Sequence, residues 1–340
     1  MEVEIKGLPE RLAARIRAEG PLNFEQWVEA CLYDPHDGFY SSGGSAGRRG
    51  DFITSPEVGP LFGTVLANWI DNIWANLGSP KDFVVLEAGA GPGTLARSIL
   101  GAKPKSLIDG RYITIERSEI QQKLHPEEAE TLSAFPKEPI TGVVIANELL
   151  DNLPFRLCAG NGEKWTEILI TEEFQEIIGN EVELPFSLLP LPEAKIPIQT
   201  NASDWVQSAL DVVRQGAVLA IDYCSTTSQM AREPQSKWLR TYRGHKKGTD
   251  PKDTPGTQDI TVDVALDQLP SGFQATTQAE FLTSYGIQGL IEEGRNIWEE
   301  QAHLGGLEAI KARSRITEAE ALLDPNGLGA FTTLEWLVYH

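Results

Sequence analysis

The chain has 340 residues, 41% hydrophobic and 23% charged, the balance of a soluble globular protein with room for one large domain or two modest ones. Its formal net charge of −20 and pI near 4.7 make a field that repels phosphate backbones, which disfavours DNA or RNA and favours a cationic partner such as a basic peptide segment. No apolar run approaches the ~20 residues of a membrane span, the start MEVEIKGLPERLAARIRAEG lacks a secretory pattern, and Cys31, Cys158 and Cys224 make neither a disulfide framework nor a zinc site, so a metal-free cytoplasmic protein is expected.

Residues 1–80 read as a mainly helical segment. Asn23 is placed to cap the helix FEQWVEACLY, and DPHDGFYSSGGSAGRRGDFITSPEVGP follows as a long Gly-rich loop of the kind that carries function when it is not disordered. LFGTVLANWIDNIWANLG then gives a helix with apolar residues at 61, 62, 65, 66, 69, 70, 73 and 74, the helical period. From Lys81 the rhythm changes: strand-like DFVVLEAG, helical TLARSILG, strand-like RYITIER, helical SEIQQKLH and the buried strand TGVVIANELL. Such alternation builds βαβ units and a parallel sheet. Residues 81–154 form the cofactor-binding half of that core. Within the insert 155–202, RLCAGNGEKWTEILITEEFQEI reads as a hairpin turning at Asn161-Gly162, and 184–200 as a connector rich in Pro and Leu. Residues 203–340 complete the core, with SDWVQSALDVVRQG running as a helix into the strand AVLAIDYC, then DITVDVALDQL, TQAEFLTSYGI and the strand-like FTTLEWLVYH.

The run from Val84 to Thr94 is an apolar strand, an acidic Glu87, and a turn with Gly89, Gly91 and Gly93 before a helix that starts at Thr94. Glycines let a backbone pass close to a ligand, at the strand end where open α/β sheets bind one. A dinucleotide site requires G-x-G-x-x-G; here the third glycine comes one residue early, and a carboxylate at Glu87 opposes a phosphate. S-adenosylmethionine carries a sulfonium and an ammonium and no phosphate, and suits this turn better. Glu116, at the end of the next strand about 20 residues on, is placed to bond both ribose hydroxyls. A third strand runs into Asn147, Glu148 and Asp151 at the same rim.

These residues resemble the MidA family of S-adenosylmethionine-dependent methyltransferases across nearly the whole chain. The resemblance is carried by ACLYDPHDGFY, GRRGDFITSPEVGPLFG, EAGAGPGTL, ERSEIQQKLH, NELLDNLP, IDYC, LRTYRGH, PGTQDITVDV and TTQAEFL. Three departures stand out: Cys224 follows Asp222-Tyr223 where the family has Gly, Asn152 follows Asp151 where it has Ala, and the glycine turn lacks an Arg. The resemblance implies a Rossmann-like seven-strand α/β methyltransferase core, here with an N-terminal helical segment and inserted α+β elements. Its mitochondrial relatives are associated with dimethylating an arginine of a respiratory complex I subunit.

An arginine acceptor needs carboxylates, because a guanidinium loses its proton only above pH ~12. Glu148 and Asp151 are the catalytic candidates, with Asp222 as a third. In the other reading of these residues, Asp151 caps a turn before Pro154 and Glu148 binds cofactor. Thr54, Ser55 and Glu57, in the loop from Asp51, offer hydroxyls and a carboxylate to the cofactor ammonium, or else Asp51 or Ser55 only caps the helix near Pro56. His245 is a weaker candidate for substrate contact, and Asp259 and Asp263, placed in a strand or cap, are left unassigned. Three further functions remain: a small-molecule or modified-peptide O- or N-methyltransferase, a non-catalytic assembly factor, and, against the glycine spacing, a nicotinamide oxidoreductase. The oligomeric state is open.

Overall fold

Apolar runs too short for helices and rich in Val and Ile form the inner strands of the central sheet. The computed structural model describes residues 7–41, 54–243, 246–304 and 306–339. The sheet strands are β1 Phe83–Ala88, β2 Arg111–Ile115, β3 Ala129–Leu132, β4 Ile140–Asn147, β5 Val213–Asp222, β6 Gln274–Thr277 and β7 Thr332–Tyr339. Their spatial order is β6-β7-β5-β4-β1-β2-β3. The pairs from β5 to β3 are parallel, and β7 is antiparallel to both of its neighbours. This is the doubly wound order 3-2-1-4-5 with two strands, the antiparallel β7 and then β6, added at one side, and its turning point lies between β1 and β4. The nine helices referred to below are α1 Leu8–Glu19, α2 Phe24–Tyr33, α3 Ser55–Val58, α4 Pro60–Asn76, α5 Thr94–Ala102, α6 Thr200–Val212, α7 Gln278–Ser284, α8 Ile287–Gln301 and α9 Leu307–Leu322.

Strand parity sorts the side chains onto two faces. Phe83, Val85, Val143, Ile145, Leu219 and Ile221 pack against α4, α5, α7, α8 and α9, whereas Val84, Leu86, Val144, Val218 and Trp336 pack against α6. Both faces are therefore covered, as a parallel sheet requires. Glu318 on α9 accepts a hydrogen bond from the N–H of Leu61 at 2.9 Å, a carboxylate satisfying an orphan donor at the start of α4.

A second core lies beside this one. The expected hairpin is present, with Arg156–Gly160 antiparallel to Trp165–Ile170, but 184–200 is not only a connector: Lys195–Ile198 pairs with Arg156–Gly160. Phe155, Leu157, Ile168 and Ile170 pack against Leu12, Phe24 and Trp27 of α1 and α2, and against Trp238, Ile260 and Val262. The packing thus cuts across the expected segments. α1 and α2 join residues of the 155–202 insert and of 230–265, while α4 belongs to the main sheet. Asn23 does cap α2, in a reciprocal capping box with Gln26.

Three local expectations shift. SEIQQKLH gives a single helical turn, Glu119–Gln122, because Arg97 takes the Leu124 carbonyl, His125 turns back beneath the glycine turn, and Pro126 follows. β5 begins at Val213, directly after α6 and before the Gly216 that was expected to end the helix. The region 287–322, left unassigned from sequence, forms α8 and α9, which pack on each other.

Candidate active site

The glycine turn connects β1 to α5 at the carboxyl edge of the sheet. Gly89, Gly91 and Gly93 have φ of 64°, 51° and 77°, left-handed values that glycine adopts without a Cβ penalty. A Cβ on Gly89 would meet Leu149 at 2.9 Å, whereas one on Gly91 would meet nothing within 4 Å. Open space therefore lies over Gly91. Its N–H donates to Glu116 Oε2 at 2.9 Å, and Glu116 Oε1 accepts from the Ser118 N–H at 2.8 Å. Across the turning point, the Oδ1 of Asn147 at the end of β4 is buried without a partner. A left-handed turn open above Gly91, a carboxylate at the next strand end and an unmet acceptor opposite fit a ligand with ribose hydroxyls and an amine, so the residues present suit S-adenosylmethionine.

Thr94 donates its hydroxyl to Glu57 Oε1 at 2.7 Å, which draws α3 onto the start of α5. Thr54 and Ser55 are buried at the start of α3. Two expectations need correction here. Ser55 is fully buried and donates its hydroxyl to Gln278 Oε1 at 2.9 Å, so that hydroxyl faces α7 and not the turn. Glu87 shares strand parity with Phe83 and Val85, is 4% exposed, and accepts from the Tyr112 hydroxyl at 2.6 Å. Burial pushes its carboxyl up to about 7. It therefore braces β1 against β2 inside the sheet, and offers no carboxylate to a cationic ligand at the rim. Asp51 and His245 lie outside the described residues.

Next to the turn, the structure brings Glu148, Asp151 and Asp222 together and adds Asp259. Glu148 sits in a left-handed conformation, φ 51°, fixed by its N–H donating to the Ile221 carbonyl at 2.9 Å. Its Oε1 accepts from Asn147 Nδ2 at 3.1 Å. Burial, with Asp151 nearby, pushes it up to about 8. Asp222 differs from the expected catalytic role: Oδ2 accepts from the N–H groups of Leu150 and Asp151 at 3.0 and 3.3 Å, and Oδ1 accepts from Tyr223 N–H at 2.9 Å. Its carboxylate is committed to backbone and holds the turn that presents Asp151. Asp151 is 3% exposed with Oδ1 unpartnered. Burial first, then Asp222 and Asp259, push its carboxyl well above the usual range. The cation facing it is Arg240, already tied to Asp263 and lying 5.0 Å over the Tyr223 ring.

Sequence reasoning missed the network behind this floor. Asn152, at the position where the resembled family has Ala, donates to Asp259 Oδ1 at 3.1 Å and to the Ile260 carbonyl at 3.1 Å. Tyr40 donates its hydroxyl between Asn152 Oδ1 at 3.0 Å and Asp259 Oδ1 at 3.1 Å, and Tyr33 donates to the Asn152 carbonyl at 3.1 Å. The aromatic residues of ACLYDPHDGFY were the available signal. Their partners lie more than a hundred positions away, beyond any local pattern.

The S-adenosyl-L-methionine-dependent methyltransferase family Methyltransf_28 matches residues 65–286, well over half of the chain and both strand ends described above. The chain belongs to this family. The methyltransferase also superimposes on a COG1565 superfamily member from Burkholderia thailandensis with S-adenosyl-homocysteine bound, with TM-score 0.77 and 27% identity over 97% of this chain and 91% of that one. Its cofactor is S-adenosylmethionine. Among curated proteins it is 28% identical over 303 residues to the mitochondrial protein arginine methyltransferase NDUFAF7 homolog of Drosophila melanogaster, covering 76% of this chain and 68% of that protein. It is 26% identical over 327 residues to mitochondrial NDUFAF7 of Xenopus tropicalis, covering 81% and 74%. These relatives correct the cytoplasmic expectation: they are named as mitochondrial. A low cysteine count does not identify a compartment.

Proposed function

We propose that this methyltransferase N-methylates an arginine side chain of a protein or peptide substrate, with the guanidinium seated on the Glu148–Asp151 floor. The observation that carries the reading is the buried, unpartnered Oδ1 of Asp151 among three other acidic side chains. Such a group is costly to leave unpaired, and a planar guanidinium supplies the charge and the paired donors it lacks. The relatives named as protein arginine methyltransferases support it. The net charge of −20 favours a substrate segment rich in basic residues.

The cofactor supplies an electrophilic methyl group on sulfonium. In this reading the backbone of Gly89, Gly91 and Gly93 lies along it, Glu116 bonds its ribose, and Asn147, Thr54 and Glu57 surround its amine end, with Thr94 holding Glu57. Asp151 orients the guanidinium and holds one nitrogen toward the methyl group that the cofactor would supply. The guanidinium charge favours the ionised form of Glu148, and the proton that nitrogen then loses passes to that carboxylate, which is part-exposed and so able to return it to solvent. Asp222 acts through the turn it holds. Two units divide this work: the seven-strand core carries the cofactor, and the layer of α1, α2, the 155–198 sheet and 230–265 backs the acceptor floor.

The test uses isotopically labelled S-adenosylmethionine with three peptides that differ at one position, arginine, lysine or citrulline. Label on the arginine peptide alone is expected. Transfer to lysine alone, or transfer only to a small molecule, rejects the reading.

A further inference from the structure

One side chain beneath the glycine turn has no role in the reading above. His125 lies three residues beyond the single helical turn that follows β2, and its ring contacts three elements. Nε2 lies 2.8 Å from the Gly91 carbonyl oxygen. Nδ1 lies 2.9 Å from the hydroxyls of both Thr114 on β2 and Thr131 on β3, which are themselves 3.1 Å apart. A carbonyl only accepts, so Nε2 carries the proton whether the ring is neutral or charged. The two hydroxyls can donate to Nδ1 or accept from it, so they hold the ring in place in either state.

The same glycine is held from its other side. Gly91 N–H donates to Glu116 Oε2 at 2.9 Å, which fixes rotation about φ, and the imidazole on its carbonyl fixes rotation about ψ. The ring also bounds the space under Gly93, where an added Cβ would sit 3.2 Å from His125 Cδ2. Gly91 has open space on its free face, so nothing else nearby on that side restrains it.

We infer that His125 is a positioning residue for the cofactor turn: it sets cofactor affinity by pinning the Gly91 carbonyl, without touching cofactor or acceptor. The inference rests on the cofactor lying over Gly89–Gly93. Fixing a glycine in advance lowers the ordering cost of binding, and loss of one hydrogen bond of this kind weakens binding about tenfold.

Calorimetric titration with S-adenosyl-homocysteine tests it on four forms of the full chain: wild type, His125→Asn, His125→Gln and Gly91→Asp. Gln can place its Nε2 amide against the Gly91 carbonyl, whereas Asn is too short to reach it. The expected result is Asn weakened about tenfold, Gln within about 1.5-fold of wild type, and Gly91→Asp without binding. Binding by Asn equal to wild type, or Asn and Gln weakened alike, overturns the inference while loss in Gly91→Asp leaves the cofactor placement standing. Wild-type affinity in Gly91→Asp overturns the placement itself. Should His125→Asn fail to fold, Thr131→Val loosens the ring from its far side and should weaken binding about threefold with Gln still close to wild type; unchanged affinity in that variant overturns the inference.

Discussion

Glu148 shows how one carboxyl couples chemistry to stability. Burial and Asp151 raise it from 4.5 to about 8, so between those values the folded chain holds a proton that the unfolded chain has lost. Stability therefore falls as pH rises through this window and levels off above it. Glu148→Gln should remove that slope, gaining about 1–3 kcal/mol near pH 8.5 and little near pH 4.5, as urea unfolding at the two pH values will show. The same variant should lower transfer to an arginine peptide by about a hundredfold or more. Asp222→Asn should act differently. An amide cannot accept from the N–H groups of Leu150, Asp151 and Tyr223 together, so about 1–3 kcal/mol of stability should be lost along with activity, measured by thermal melting beside the transfer assay. Sequence reading singled out Glu148, Asp151 and Asp222 as a group, because each closes an apolar strand or follows one directly. It could not separate their roles, since what a carboxylate accepts from is set by distant backbone. Ser55 and Glu87 misled for the same reason: their partners, Gln278 and Tyr112, are fixed by packing and strand parity.

At the scale of elements, periodicity revealed those that bury one face against the sheet, such as α4 and β1. It missed Lys195–Ile198, hidden in a Pro-rich stretch and made a strand by its neighbour Arg156–Gly160. It also missed α8 and α9, which rest partly on each other and leave Leu307 and Ile310 exposed. The Asn23 box was legible because a cap is local chemistry. Asn23→Ala should cost about 1 kcal/mol, and because α2 carries Tyr33 to the Asn152 carbonyl, melting should show a lower Tm with cofactor affinity unchanged. Tyr40→Phe removes one hydroxyl shared between Asn152 and Asp259. It should raise the KM for an arginine peptide several-fold, leaving the KM for S-adenosylmethionine within about twofold; steady-state kinetics in both substrates checks the split.

Across the whole molecule, the doubly wound order puts the ends of β1, β2, β4 and β5 on one rim, and this was readable from strands alternating with helices. The second core was not, because α1 and α2 join strands from 155–198 and 230–265 through contacts far apart in sequence. A net charge of −20 should make capture of a basic peptide sensitive to salt: its KM should rise from about 0.05 M to about 0.3 M ionic strength while affinity for S-adenosyl-homocysteine changes little. The most direct test of the account is the structure of the chain with S-adenosyl-homocysteine and an arginine peptide bound. The ribose hydroxyls are expected on Glu116, the homocysteine over Gly91, and the guanidinium on Asp151 beside Glu148. A ribose away from Glu116, or a guanidinium seated away from the Glu148–Asp151 floor, would contradict it.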